Sequence, residues 1–467
     1  MDKKIFKAHM NEQILGDQYG HHTTLSTEQK LGIAKILDEK FDLNIKELPH
    51  LENKGWIQPL QKAIPENFCV YPFIHLQLDP DGRVRPCCKY KVGDPTWQQN
   101  VPKMPESNIE ELWNQPELQD LRSAFLKNEK PSGCKACWDE ENAGIKSMRM
   151  LFNNAGKDFP DATFFQFVPR QVPKSLDLKL SNICNLKCRI CNPFLSSNWI
   201  KEHKELNLGD KETMELYVSN SKEKFNENID NKEIMQRWAK DIDQLEFYGG
   251  EPLLQQEHDK ILEIFSEYGK PNITQLYYNT NGTVCNEKFF ELWKKFKEVT
   301  ISLSIDDIGE RFEYERKNAK WDEVQQNIKL FKEYGIKHGV NLKLQLYITV
   351  GIFNVIYLQE ILDELKLFDL PVVFNMVHYP HHFSLVNFPN QVKAYIEESL
   401  RKLNTNGITF LDWSPSIDNI IRYMNDREYS TDEFKKFNES IDRHDLYRGE
   451  SFKITFPELH NLIKAYT

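Results

Sequence analysis

Ser175-Leu-Asp-Leu-Lys-Leu-Ser181 runs into Asn182-Ile-Cys184-Asn-Leu-Lys-Cys188-Arg-Ile-Cys191. The first part alternates apolar with polar residues, the period of a strand whose two faces meet different surroundings. The second part carries three cysteines in a C-x3-C-x2-C spacing on one short loop. Three thiolates that close together can hold three irons of a four-iron, four-sulfur cube and leave the fourth iron without a protein ligand. An incompletely ligated metal is a catalytic arrangement, whereas a fully ligated one is structural.

The surrounding chain bounds what such a site can serve. Its 467 residues are enough for two or three domains. Apolar residues make up 40% and charged residues 28%, ordinary for a globular protein. A formal net charge of −10 disfavours an extended grip on nucleic acid. No apolar run is long enough to span a membrane, and the polar N-terminus does not read as a secretory signal. The cysteines number nine, an odd count, and most fall in metal-ligand spacings rather than a disulfide framework. A cytoplasmic protein is expected.

Residues 1–60 are polar, with an amphipathic helix expected from Thr27 around Leu31, Ala34, Ile36 and Leu37. The pair His21-His22 reads as exposed loop. Residues 61–150 form a second unit. There Cys69-Val-Tyr-Pro-Phe-Ile-His-Leu-Gln-Leu leads through Asp79-Pro-Asp-Gly82 to Arg-Val-Arg-Pro-Cys87-Cys88. The Asp-Gly turn between two short runs predicts a hairpin, placing Cys69 and Cys87 on or beside paired strands. A helical stretch from Ile109 to Phe125 precedes Cys134-Lys-Ala-Cys137. Cys69, Cys87, Cys134 and Cys137 can close a metal site, and sulfur count alone admits zinc or an iron–sulfur cluster. Cys88 is left as a spare thiol. Residues 151–173, with Asn153-Asn154, Gly156, Pro160, Pro169 and Pro173, read as a linker in which Phe164, Phe165 and Phe167 pack between domains.

Residues 174–380 alternate strands with helices, which implies a parallel sheet. The strands expected are 175–181, 244–248, 274–279, 300–305, 343–350 and 372–377. Each splits an apolar set, such as Leu176, Leu178 and Leu180, from a polar one, such as Asp177, Lys179 and Ser181. A sheet covered by helices on both faces would be apolar throughout. The alternation therefore predicts one face under helices and one lining a wet, polar chamber. A partial barrel fits this better than a closed barrel filled with Val, Ile and Leu. The fold class expected is α/β: a partial (β/α)6 TIM-type barrel, a small N-terminal α+β unit, and a helical extension over 381–467 whose role, cap or partner surface, is open.

Beyond the cysteine loop, the second strand of this series ends in Tyr248-Gly249-Gly250-Glu251-Pro252. Two glycines let backbone approach a ligand closely, and a carboxylate beside them can hold an ammonium group. The third strand ends in Asn279-Thr280-Asn281-Gly282-Thr283, and the fourth in Ser302-Leu-Ser304-Ile-Asp306.

Taken together, C-x3-C-x2-C, Gly-Gly-Glu-Pro, the Thr-Asn-Gly turn and Ser-Leu-Ser-Ile-Asp resemble the motifs of radical S-adenosylmethionine (SAM) enzymes. Cys69-x12-Gly82-x4-Cys87 with Cys134-x2-Cys137 resembles the twitch domain, a shortened SPASM domain that holds an auxiliary cluster. It usually follows the catalytic domain; here it precedes it. The likeness covers 65–138 and 175–380. It implies a [4Fe–4S] cluster on Cys184, Cys188 and Cys191, with SAM chelated at the open iron. It implies an auxiliary iron–sulfur cluster, [4Fe–4S] in type, on Cys69, Cys87, Cys134 and Cys137, the preferred alternative to zinc. It assigns SAM contacts to Tyr248, Gly249, Gly250, Glu251, Asn279 and Ser304. Arg316 stands either toward the SAM carboxylate or on a helix surface. Val350 and Asn354 lie where relatives place an apolar residue against the adenine, and backbone at 375–378 could meet it. Ile190 replaces the aromatic residue common before the third cysteine.

The chemistry implied is reductive cleavage of SAM to a 5′-deoxyadenosyl radical that takes a hydrogen atom from substrate. A fully ligated auxiliary cluster favours oxidation or crosslinking of a peptide or protein side chain over isomerisation. A flavodoxin- or ferredoxin-type protein would donate the electron. The alternatives are the same chemistry on a small molecule, a sugar-like alcohol or a nucleotide, and a non-catalytic metal-binding interaction protein. His378, His381 and His382 read as a rim loop, and Cys285 as an ordinary cysteine.

Overall fold

Seven residues before the cysteine loop begins, Ser175–Leu178 forms a short strand, and the rest of the sheet is built out from it on both sides. In the computed structural model, residues 65–91, 102–142, 144, 146–155, 172–225 and 229–466 are described. The helix expected from Thr27, the pair His21-His22 and the phenylalanines at 164–167 lie outside them.

One sheet of eight strands organises the molecule. Numbered along the chain, they are β1 His75–Leu78, β2 Val84–Arg85, β3 Ser175–Leu178, β4 Gln244–Phe247, β5 Gln275–Thr280, β6 Glu298–Ser304, β7 Leu342–Val350 and β8 Val372–Met376. Their order is β2-β1-β3-β4-β5-β6-β7-β8. Only β2 is antiparallel to its neighbour; every other pairing is parallel. The six strands expected for the (β/α) partial barrel are present in order, with helices between them.

The N-terminal hairpin is where the molecule departs from two separate units. β1 pairs along the whole of β3, Leu76 with Leu176 and Leu78 with Leu178, so the hairpin is the continuation of the same sheet. Its turn is Asp79–Gly82, closed by Gly82 N–H on the Asp79 carbonyl at 2.9 Å. Gly82 has φ +87°, and a Cβ there would stand 2.4 Å from the Met104 carbonyl oxygen. Cys69 is not on a strand: a helical turn, Tyr71–Ile74, with Pro72 in its first turn, separates it from β1. The segment expected to open the linker is helical over Met148–Ala155, and Asn153 ties it to the backbone of Phe68 and Val70 at 2.8 and 2.9 Å.

The strand alternation sorts the two faces as expected. Leu176, Leu245, Leu276, Ile301 and Leu346 share one buried core with the helices Gln256–Tyr268, Trp321–His338 and Leu358–Leu365. The opposite face carries, across one row, Gln77, Asp177, Glu246, Tyr277 and Thr300. The next row runs through Asn279, Ser302 and Gln345. C-terminal to the sheet lie the helices Asn390–Arg401, Ile417–Asn425, Thr431–Arg448 and Pro457–Tyr466. They close a cluster of Phe353, Phe437, Phe452 and Phe456 against the outside of the sheet layer.

Candidate functional site

Beyond the end of β3 the chain leaves the sheet, and local hydrogen bonds shape it into a compact loop. Asn182 donates to the carbonyls of Pro193 and Tyr217 at 2.7 and 3.0 Å. Asn198 donates to the Cys184 carbonyl and the Trp199 indole to the Cys188 carbonyl, at 2.5 and 3.1 Å. Cys191 N–H bonds the Cys188 carbonyl at 3.0 Å. This turns Cys184, Cys188 and Cys191 toward one another. Burial pushes the Cys184 thiol up to about 12, and the neighbouring Cys188 adds to the shift. Burial likewise raises Cys191, with Cys188 and Cys184 contributing next. Three desolvated thiols, which would repel one another as thiolates, suit a positive iron centre that favours the thiolate form.

Tyr248-Gly249-Gly250-Glu251 crosses beneath that loop. Gly249 and Gly250 have φ +72° and +55°, the left-handed region that glycine enters without strain. A Cβ on Gly250 would stand 2.3 Å from the Ile183 carbonyl oxygen, just before Cys184. Glu251 N–H bonds that same carbonyl at 2.8 Å. The Glu251 side chain, fully buried, accepts from Thr280 Oγ1 at 2.7 Å and Asn281 N–H at 2.8 Å. Its carboxylate is engaged by the protein itself, so it braces the loop from below instead of presenting itself to an ammonium group. Burial pushes Glu251 up to about 7 against those hydrogen bonds. From the other side Asn281 donates to Asn185 Oδ1 at 2.9 Å, and Asn185 donates to Thr283 Oγ1 at 2.7 Å. Asn281 Nδ2 also lies 3.9 Å from Cys184 Sγ.

The end of β6 supplies the charged part of the site. Arg316 is buried, not on a helix surface, and donates to Asp306 Oδ2 at 2.6 Å. Its Nε has no hydrogen-bond partner in the protein, so a donor remains for an anionic group. After burial, Arg316 is the largest influence on the Cys188 thiol, which it lowers. Asp306 receives Thr349 N–H at 2.9 Å, and Asn354 donates to the Asp306 carbonyl at 2.8 Å. Ser304 and Asn279 share the polar face at neighbouring strand ends. Val350 does not: it alternates with Thr349 onto the helix side, fully buried in the core. Its side chain has no surface toward the chamber, so the adenine contact expected of it is not available there. Asn354 is buried and spends its amide on Asp306 and Thr349.

The second cysteine group lies at the other end of the sheet. Cys69 precedes β1, whereas Cys184 follows β3, and the two strands run parallel. Cys69, Cys87, Cys134 and Cys137 line one small pocket with Tyr71, Tyr90 and Arg149. All four are free thiols. Burial raises Cys134, and Cys87 and Cys137 raise it further. Among the described residues no three His, Cys, Asp or Glu side chains meet around a single-ion site. These cysteines ring a space, as the ligands of a cluster do. Cys88 does not line that cavity; its Sγ lies 3.4 Å from Met148 Sδ.

These two cysteine groups match two separate family models. Residues 178–365 match the radical SAM superfamily, and residues 69–138 match the SPASM iron–sulfur cluster-binding domain. The chain carries a radical SAM domain preceded by a SPASM domain. The first holds SAM and a [4Fe–4S] cluster, the second an auxiliary iron–sulfur cluster. No curated protein matches the chain. Among solved structures, anSMEcpe with bound AdoMet is 20% identical, with a TM-score of 0.36 over 50% of this chain and 60% of its own. Streptococcus suis SuiB bound to precursor peptide SuiA is 14% identical, with a TM-score of 0.30 over 73% of this chain and 65% of its own. The matched part is thus under two thirds of either relative's length.

Around the radical SAM loop, two groups of residues escaped sequence reasoning. Asn185 and Asn281 hold Cys184 from the side; the Thr-Asn-Gly turn was the signal, but it drew attention to Asn279. The C-terminal extension reaches the back of the loop, which no local pattern announced. Arg189, between two cysteines of the loop, donates to Asp445 at 2.5 Å and Glu450 at 2.6 Å and stacks 3.7 Å over the Tyr314 ring. Lys187 bonds Glu202 at 2.6 Å, and Glu202 also receives His444 and Arg448 at 2.7 and 2.9 Å. Burial would raise Glu202, but these partners hold it down at about 2. His378, His381 and His382 do not converge on a metal; His378 packs on Tyr423 at 5.0 Å. Cys285 packs against the core.

Proposed function

We propose that this radical SAM enzyme oxidises or crosslinks a side chain of a peptide or protein held on the polar face of the sheet. One observation carries the reading: a three-cysteine loop and a four-cysteine cavity stand at opposite ends of the same strands, with a row of polar side chains between them. Cys184, Cys188 and Cys191 would hold the SAM-binding cluster, and Cys69, Cys87, Cys134 and Cys137 the auxiliary one. Bound there, these groups supply one-electron cleavage of SAM, removal of a hydrogen atom from substrate, and an acceptor for the remaining electron. The protein supplies position and exclusion of water.

Gly249 and Gly250 bring backbone close against the cysteine loop, and the unpartnered Arg316 Nε is a donor for the SAM carboxylate. Tyr248 and Ser304 stand at strand ends on the chamber side. Tyr71 lines the four-cysteine cavity while its hydroxyl lies in the field of Glu246 and Asp177, so it separates the two compartments. A cytoplasmic setting and a flavodoxin- or ferredoxin-type donor belong to the same proposal; among the described residues no helix is long and apolar enough to cross a membrane.

The test is anaerobic reconstitution with iron, sulfide, SAM and dithionite. Formation of 5′-deoxyadenosine by the wild type and its loss in Cys184→Ala is the expected outcome. Equal amounts from both proteins would sink the reading.

A further inference from the structure

Between the two cysteine groups, β1 to β4 bring five charged side chains onto one patch of the polar face: Asp79, Arg85, Asp177, Lys179 and Glu246. Most of their hydrogen-bonding capacity is used. Asp79 accepts from Arg85 Nε at 2.5 Å and Gln77 Nε2 at 2.7 Å. Lys179 Nζ stands 3.5 Å from Asp79 and 3.3 Å from Asp177 Oδ2. Glu246 Oε1 accepts from Ser175 Oγ at 2.9 Å and Gln244 Nε2 at 2.7 Å. His75 lies 3.7 Å from Glu246 and adds no charge, because burial holds its pKa at about 3.

Two atoms are left over, and both are acceptors. Asp177 Oδ1 and Gln77 Oε1 are buried and have no hydrogen-bond partner in the protein. Their residues are 3% and 2% exposed and directly opposed in the β1–β3 register. Gln77 is neutral, so its orphaned oxygen is independent of the acidic character of the patch. Three carboxyl groups also face only two cations, Arg85 and Lys179. Two unpaired acceptors beside three carboxyl groups call for a donor, and a positively charged one suits them best: an anion is repelled, and an apolar group leaves both acceptors stranded. Half-buried Tyr277 and Tyr347, on the same face, offer ring surface to the alkyl stem of such a group.

We propose that Asp177 and Gln77, backed by Glu246, form the recognition site for a cationic side chain of the substrate, an ammonium or a guanidinium. This rests on the peptide-modifying reading above and names its substrate class: a peptide presenting a basic residue. Burial, set against the attraction of Lys179, pushes Asp177 up to about 7, and burial raises Glu246 as well. A bound cation lowers both again, because it favours their carboxylates.

The experiment titrates the full-length, anaerobically reconstituted protein by calorimetry with n-butylguanidinium chloride, n-butylammonium chloride and 1-pentanol at constant ionic strength. Saturable binding of one or both cations, without saturable binding of pentanol, is the result expected. Asp177→Asn should weaken the cations by about tenfold or more, as loss of one partner of a buried charge pair does. Should that variant not fold, Gln77→Met, which removes the neutral acceptor and no charge, must weaken them too. Absent cation binding, pentanol binding as tightly, or undiminished affinity in Gln77→Met overturns the inference. Wild-type protein that forms 5′-deoxyadenosine yet binds neither cation rejects this site and keeps the enzyme. Protein that binds the cations but forms no 5′-deoxyadenosine keeps the cation site and rejects the enzyme.

Discussion

Gly250 sits at φ +55° with the Ile183 carbonyl oxygen 2.3 Å from where a Cβ would be. Backbone cannot yield as the tip of a side chain can, so Gly250→Ala must displace either the glycine turn or the residue pair before Cys184. A loss of about 1–3 kcal/mol is expected from the strained φ alone, read from urea denaturation, together with reduced iron per chain. Wild-type stability and iron content in that variant would contradict the bracing role. Asp177 carries a pH dependence. Its folded-state pKa is raised from 3.8 to about 7, so the protonated form is favoured by folding. The contribution is full below about pH 4 and is lost as pH rises through about 7. Asp177→Asn should therefore flatten the fall in stability across that window; an unchanged pH profile would contradict it.

At the scale of elements, the helix Thr431–Arg448 and the turn to Glu450 act on the radical SAM loop from behind. The side chains of Glu202 and Arg448 are both wholly buried, and the pair is shared with Lys187 and His444. Removing the carboxylate leaves three basic groups without their common partner. Glu202→Ala is expected to cost about 3–5 kcal/mol, the usual penalty for breaking a buried ion pair from one side. Because Trp199 donates to the Cys188 carbonyl and carries Arg448 4.5 Å over its ring, the same variant should also lose iron on reconstitution. Stability loss with full iron content would show that the extension supports the fold but not the loop.

For the whole molecule, the continuity of β1 with β3 puts the SPASM cysteines at one end of the sheet and the radical SAM cysteines at the other. The two sites are joined by strands but share no cysteine. Cys134→Ala/Cys137→Ala should lower iron and sulfide by one cluster while 5′-deoxyadenosine formation persists and substrate oxidation stops. Unchanged iron would refute the auxiliary site, and loss of SAM cleavage would show the two sites to be interdependent.

How much of this was legible in the chain divides by distance along it. The C-x3-C-x2-C loop, the period-2 alternation from Leu176 to Tyr347 and the glycines at 249–250 are local signals. A loop's ligand set, a strand's two faces and a left-handed backbone are each dictated within a few residues. They determined the fold class, the polar face and the cysteine groups. Tertiary structure decided what depends on partners far apart in sequence. Glu251 is consumed by Thr280 and Asn281, Val350 turns to the helices, and Arg316 is drawn inward by Asp306. Asp445 and Glu450 meet Arg189 more than 250 residues away, and Asn281 meets Asn185 across 96. Above all, residues before the radical SAM domain became the strand beside its first one. Backbone hydrogen bonds between β1 and β3 carry no side-chain signature, so only the folded chain could disclose that one sheet serves both sites.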